Sequence, residues 1–109
     1  MTVVDASALL EMLLRTGSAE RLTARLLNSD ESLHAPHLID LEVAQVLRRS
    51  CAIGKMTQER ALEALDDLSA LRITRHPHLL YVSRIWELRH NLTACDAAYV
   101  ALAEALPAP

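Results

Sequence analysis

Short segments of strand-like composition alternate with longer segments of helical period along this chain, and no other feature of the sequence limits the fold as strongly. Extended segments are predicted at residues 2–4, 32–35 and 71–74, and each is followed by a helical segment. Neighbouring parallel strands need crossover connections, which helices supply, whereas antiparallel strands can be joined by tight turns. We therefore expect an α/β fold in which helices cover a short parallel sheet.

Six helices are predicted from apolar periodicity and from the residues at their ends. They are expected at residues 7–15, 18–28, 37–52, 57–70, 79–91 and 93–106. Thr57 and Thr93 are suited to the N-cap position because a threonine hydroxyl accepts a hydrogen bond from a free backbone N–H of the first turn. The segment 37–52 is apolar nearly all round, which predicts burial against the sheet and favours a second subunit as a further cover.

Length and composition restrict the classes of protein to consider. With 109 residues, 51% of them hydrophobic, the chain predicts a single packed domain over residues 1–109. Its net charge of −3 and its three aromatic residues, Tyr81, Trp86 and Tyr99, argue against nucleic-acid binding by bulk charge or by base stacking. No apolar run approaches the roughly 18 residues of a membrane span, and the first residues lack a signal-peptide pattern, so we expect a cytoplasmic protein without membrane contact.

Cysteine and histidine spacings do not predict a zinc site. Cys51 and Cys95 lie far apart, outside any CxxC pair, and are expected to be reduced thiols in an apolar setting. His34 with His37, and His76 with His78, have the spacing of zinc pairs, but no second set of ligands accompanies them. We interpret these histidines as surface hydrogen-bonding groups.

Three carboxylates are the candidate functional residues. Asp5 closes the first predicted strand, at the carboxyl edge where α/β sheets gather their sites, although aspartate is also a common helix cap. Glu42 shares a helical face with apolar residues, where a carboxylate needs a metal or an ion pair, for which Arg49 is a candidate. Asp96 follows Thr93 in a T-x-x-D arrangement that resembles a capping box. Hard oxygen ligands such as these suit Mg²⁺ or Mn²⁺.

The carboxylates belong to three longer motifs, VVDASALL at residues 3–10, APHLIDLEVA at 35–44 and LTACDAAYVALAE at 92–104. In this order and spacing, the motifs resemble those of PIN-domain ribonucleases, and most closely those of VapC-like toxins of bacterial toxin–antitoxin pairs.

The resemblance implies a three-layer α/β/α fold and an endoribonuclease that cleaves RNA with Mg²⁺ or Mn²⁺ and is neutralised by a cognate antitoxin. It implies that Asp5, Glu42 and Asp96 are the metal-binding and catalytic acids, with the hydroxyls of Ser7 and Thr93 nearby. A homodimer is expected from the apolar content of segments 37–52 and 79–91, which exceeds what one small sheet face can cover.

The sequence departs from this family in one respect. Proteins of this type continue into a strand that ends in a T-x-D-type segment and supplies a fourth acid, whereas this sequence stops at Pro107-Ala108-Pro109. We expect the domain to be C-terminally incomplete, with either a longer natural product or another chain supplying the missing strand. The departure also supports an alternative function, a catalytically defective PIN-like module that dimerises or sequesters an antitoxin.

Other phosphate-handling classes fit the sequence less well. A haloacid-dehalogenase-type phosphotransferase requires an aspartate where Ser7 stands, and a receiver domain requires a lysine at a strand end, whereas the only lysine is Lys55 in a loop. Arg48, Arg49 and Arg60 near Lys55 are candidates for a local phosphate-binding edge, because arginine can bind phosphate through two donors. Solvated helix ends are the alternative interpretation of these residues.

Overall fold

The computed structural model describes residues 1–14 and 32–106, and its described strands form one parallel sheet. The strands are β1 (Thr2–Val3), β2 (Leu33–Pro36) and β3 (Ile73–His76), arranged in the order β1-β2-β3. In register, Thr2 lies beside Leu33, which in turn lies beside Ile73. All three carboxyl ends therefore point to one edge of the sheet.

Five α-helices and one 3₁₀ helix surround the sheet in the described part of the chain. They are α1 (Ala6–Leu14), α2 (Ile39–Ala52), α3 (Gln58–Ala70), the 3₁₀ helix (His78–Tyr81), α4 (Val82–Glu87) and α5 (Ala94–Ala105). Thr57 and Thr93 are the N-caps of α3 and α5, as their sequence context predicts, and their hydroxyls accept hydrogen bonds from the backbone N–H groups of Arg60 and Asp96.

The helices lie on both faces of the sheet. Side chains of α1, α2 and α3 share one core with Val4, Leu33, Ala35 and Ile73 of the strand segments. Successive strand residues face opposite sides, so His34 points to the other face, where α5 contacts β1 and β2. Helix α5 presents a buried stripe of small and apolar residues to this face: Ala97, Ala98, Ala101 and Leu102. The α/β class and the three-layer arrangement are thus confirmed.

Several element boundaries differ from the predicted ones. The third strand begins at Ile73, because Leu71 is the C-cap of α3. The helix predicted over residues 79–91 is shorter, since a 3₁₀ turn precedes the six residues of α4. The helix predicted over residues 18–28 lies outside the described residues.

The predicted burial of α2 holds for one face only, and the predicted setting of Cys95 was wrong. Only Ile39, Val43 and Leu47 of α2 are buried, while Leu41 is 75% exposed, because α2 turns a single stripe towards the core. Cys51 and Cys95 are free thiols as predicted, but Cys95 is exposed rather than in an apolar setting, since it lies in the first turn of α5. Within residues 1–14 and 32–106, every helix is too short or too polar to cross a bilayer.

Candidate active site

Asp5 lies between β1 and α1, directly before the first residue of α1. Its Oδ1 accepts a hydrogen bond of 2.8 Å from the backbone N–H of Ala8, and its carbonyl accepts from the N–H of Leu9 at 3.1 Å. The cap interpretation of Asp5 is therefore correct, and the side chain also remains exposed at the carboxyl edge of the sheet. Ser7, which the resemblance assigned to the site, is exposed in the first turn of α1.

Glu42 lies in the first turn of α2 and is half-buried. Its Oε1 accepts a hydrogen bond from the hydroxyl of Tyr99 with an O···O distance of 2.6 Å. Such a short distance is typical of a hydroxyl that donates to a charged carboxylate. Tyr99, rather than Arg49, is thus the partner of this oxygen, and the hydrogen bond connects helices on opposite faces of the sheet.

Asp96 occupies the first turn of α5, where its backbone N–H donates to Thr93 Oγ1 at 3.2 Å. The carboxylate is exposed, and the N-terminal end of the helix favours its negative charge. Asp96 and Tyr99 are three residues apart and therefore share one face of α5. Because Tyr99 reaches Glu42, that face is turned towards α2.

The pKa of the Tyr99 hydroxyl depends on burial and on the neighbouring charges. Burial is the largest cause of the raised pKa of this hydroxyl, and the hydrogen bond to Glu42 is the next largest. The charges of Glu42, Asp5 and Cys95 raise this pKa further. The hydroxyl consequently stays protonated and acts as a donor at ordinary pH. The charge of Asp5 therefore acts in the same direction as that of Glu42 on the Tyr99 hydroxyl.

The chemistry of the donors fits a hard divalent cation, since all three predicted ligands are carboxylates. The three carboxylates do not lie close enough together to form a complete coordination shell. In the described part of the chain, no group of three or more His, Cys, Asp or Glu side chains is arranged closely enough to hold a metal ion. Glu42 is thus joined to α5 through Tyr99, and Asp96 lies three residues before Tyr99 on that helix, but the three acids do not close around a point.

Sequence reasoning missed two features, and the first is the contact of Tyr99 with Glu42 at this edge. The i, i+3 spacing of Asp96 and Tyr99 was the available signal that Tyr99 faces the acids.

The second feature is a histidine pair on the α5 face of the sheet. His34 Nδ1 lies 2.8 Å from His76 Nε2, and its Nε2 lies 2.7 Å from Ser32 Oγ. His34 is thus a buried group of β2 and not the surface histidine that was predicted.

Two of the three arginines considered for phosphate binding have partners within the protein. Arg48 Nε donates to Gln45 at 3.0 Å. The guanidinium of Arg60 donates to the carbonyl of Leu13 at 2.9 Å and to Glu63 at 3.3 Å. These contacts favour the interpretation that both side chains serve local structure.

Comparison with known proteins connects this arrangement to a family. The family model of the PIN domain matches residues 2–109. Ribonuclease VapC9 of Mycobacterium tuberculosis is 47% identical over 106 residues, which cover 97% of this chain and 80% of that protein. Ribonuclease VapC1 of the same species is 43% identical over 98% of this chain and 80% of its own length. Ribonuclease VapC12 is 34% identical over the whole of this chain and 83% of its own.

Proposed function

This chain belongs to the PIN-domain family, with VapC ribonucleases matching nearly all of it, and on that premise we propose that it is a metal-dependent endoribonuclease toxin. Asp5, Glu42 and Asp96 would hold Mg²⁺ or Mn²⁺ at the carboxyl edge of the sheet. The hydroxyls of Ser7 and Thr93 flank these acids in the first turn of α1 and at the N-cap of α5. The substrate is an RNA phosphodiester.

The hydrogen bond from Tyr99 to Glu42 is the observation that carries this proposal. It links α5, which bears Asp96, to α2, which bears Glu42, and the charge of Asp5 acts on the same hydroxyl. Like charges gathered without a cation repel one another, and a divalent cation would relieve that repulsion. The proposal therefore draws the three acids from distant parts of the sequence to the edge where ligands of parallel sheets bind.

In the proposed reaction, the metal ion and the three carboxylates have different roles. When bound, a divalent ion supplies a water of lowered pKa and positive charge beside the leaving oxygen. The three carboxylates would hold and orient that ion. Because the chain carries a net charge of −3, RNA binding depends on contacts close to the site rather than on bulk attraction.

Partners follow from the same proposal. A cognate antitoxin would neutralise the nuclease by lying across the acidic edge, with an arginine inserted among the carboxylates, since guanidinium and carboxylate groups pair through two hydrogen bonds. We also propose a homodimer, supported by exposed apolar side chains in the 3₁₀ helix and α4.

Asp5→Asn tests the assignment. Asparagine keeps an oxygen that can cap α1, so the variant should fold, while the lost negative charge removes a metal ligand. We expect Mg²⁺-dependent cleavage of total RNA to fall at least about 100-fold, the upper end of the loss seen when a residue supporting a metal ligand is removed. Initial rates at matched Mg²⁺ concentrations measure the effect.

Asp67→Asn is the matched control, because it removes the same charge from an exposed position on α3. It should cleave like the wild type. Equal rates for Asp5→Asn and the wild type would contradict the metal-site assignment. Absence of cleavage in the wild type, with an antitoxin still bound, would instead favour the defective binding module, an alternative supported by the open spacing of the acids.

A further inference from the structure

We propose that Tyr99 is a positioning residue for Glu42: its hydroxyl fixes Oε1 so that the second carboxylate oxygen is presented to the cation. The inference rests on the proposed function and assigns a role within that site to a residue that is not a metal ligand. It starts from the 2.6 Å contact between the Tyr99 hydroxyl and Glu42 Oε1.

A free glutamate side chain rotates about three bonds and must lose this freedom when it binds an ion. A hydrogen bond to one oxygen removes much of that freedom in advance, and preorganisation of this kind raises affinity by lowering the entropic cost of binding. Hydrogen bonds to metal-ligating carboxylates from neighbouring residues that do not touch the metal serve this purpose generally.

Tyrosine suits this task because its hydroxyl is neutral. An arginine or lysine would also orient Glu42, but its positive charge would neutralise the carboxylate and repel a divalent cation. The Tyr99 hydroxyl binds Oε1 while Glu42 keeps its full negative charge for the ion.

The tyrosine ring itself is held firmly. It is partly buried and packs against the core that α1, α2 and α3 share, while its backbone belongs to α5. The hydroxyl is therefore fixed by contacts on both sides of the sheet. A flexible surface donor could not impose one orientation on Glu42 in this way.

Tyr99→Phe tests the inference, because it removes the hydroxyl and retains the ring. Mn²⁺ binding to the full chain is measured by calorimetric titration, and RNA cleavage is measured over the same range of Mn²⁺ concentrations. We expect the Mn²⁺ affinity to fall about 10-fold, as is typical when a partner of a metal ligand is lost. Cleavage at saturating Mn²⁺ should return close to the wild-type rate, because the hydroxyl acts through Glu42 and not on the RNA.

Two comparisons make the result specific. Tyr81→Phe removes the other tyrosine hydroxyl of the chain and should bind Mn²⁺ like the wild type. In a Glu42→Gln background, Tyr99→Phe should produce no further loss of Mn²⁺ affinity, since the group on which it acts has already changed. An equal loss in both backgrounds would overturn the inference, as would unchanged Mn²⁺ affinity of a folded Tyr99→Phe variant. Wild-type protein that binds no Mn²⁺ would overturn the proposed function and this inference with it.

A second measurement applies even if Tyr99→Phe does not fold. The chain has two tyrosines and one tryptophan, Trp86, so in a variant with both Tyr81→Phe and Trp86→Leu the near-ultraviolet absorption above the phenylalanine bands comes from Tyr99 alone. Mg²⁺ titration of that variant should change the near-ultraviolet tyrosine band with the same midpoint as Mg²⁺ binding measured by calorimetry, because the carboxylate that accepts from the hydroxyl becomes a ligand. Binding without a change in this band would contradict the inference.

Discussion

At the scale of single residues, His34 is a buried group whose charge state matters to the fold. Only 7% of its surface is exposed, and both ring nitrogens have hydrogen-bond partners. Burial lowers its pKa below the ordinary value of 6.5, and the charges of His76 and the N-terminus lower it further. Inside the sheet, the neutral ring is therefore the stable form.

This shift predicts how stability depends on pH. As the pH falls below 6.5, the unfolded chain takes up a proton that native His34 does not, so the free energy of unfolding decreases until the pH reaches the folded pKa. The stabilisation is fully present above 6.5. Urea denaturation of the wild type at a series of pH values measures the decrease.

Substitutions identify the residue responsible. His34→Gln should show a flatter dependence on pH, even if it is less stable throughout, because the titrating group is gone. His90→Gln removes an exposed histidine and should retain the wild-type slope. Identical slopes for all three proteins would assign the pH dependence to other groups.

Sequence reasoning succeeded for residues whose chemistry is local. Asp5, Thr57 and Thr93 cap helices because a cap requires only a short polar side chain a few positions before its N–H partner. Tyr99, the partner of Glu42, and His76, one of the two partners of His34, are 57 and 42 residues away. No local pattern specifies such pairs, because they depend on how helices and strands come together.

At the scale of elements, an ion pair joins β3 to α2. Arg75 donates from Nε to Asp40 Oδ2 at 2.7 Å and from Nη2 to Oδ1 at 2.8 Å. The hydrogen bond to Asp40 is the main cause of the raised pKa of Arg75. Both side chains remain partly exposed, at 29% for Arg75 and 39% for Asp40, so solvent weakens the attraction.

We expect Asp40→Ala to lower the free energy of unfolding by about 1 kcal/mol, the upper end for an exposed pair, because the contact has two parallel hydrogen bonds. Denaturant titration at neutral pH measures this change. Glu87→Ala breaks a single contact with Arg84 on the surface and should have a smaller effect. The opposite order of the two effects would mean that the pair does not fasten β3 to α2.

Apolar periodicity predicted the existence of helices better than their buried faces. The segment 79–91 has helical spacing, yet Leu79 and Leu80 are 78% and 77% exposed, and the chain there forms a 3₁₀ turn before α4. Leucines exposed at a surface produce the same sequence pattern as leucines buried in a core. The pattern thus overstated both the length of this helix and the burial of α2.

At the scale of the whole molecule, the exposed side chains of Leu79, Leu80, Val82 and Trp86 form what we call the α4 patch. The guanidinium of Arg89 lies 4.5 Å from the centre of the Trp86 ring, which leaves a charged group at its rim. Apolar surface with a polar rim is typical of contact sites between proteins.

We expect this patch to mediate the proposed homodimer. Leu80→Glu places a charge in it without disturbing the interior, and the molar mass from light scattering should change from that of two chains to that of one. Leu62→Glu is the control, since it adds the same charge at an exposed leucine on α3 and should remain dimeric. A wild type that is monomeric throughout the micromolar range would contradict the homodimer.

The hydrogen bond between Tyr99 and Glu42 also has a consequence for how the site arises during synthesis. It joins residues 57 positions apart, so at about 5–20 residues per second Tyr99 is added about 3–11 s after Glu42. Until α5 has emerged from the ribosome, neither Asp96 nor the hydroxyl that orients Glu42 is available. Under the proposed function, a nascent chain carries the acids of its first half without an assembled site, and the order of translation itself delays the appearance of activity.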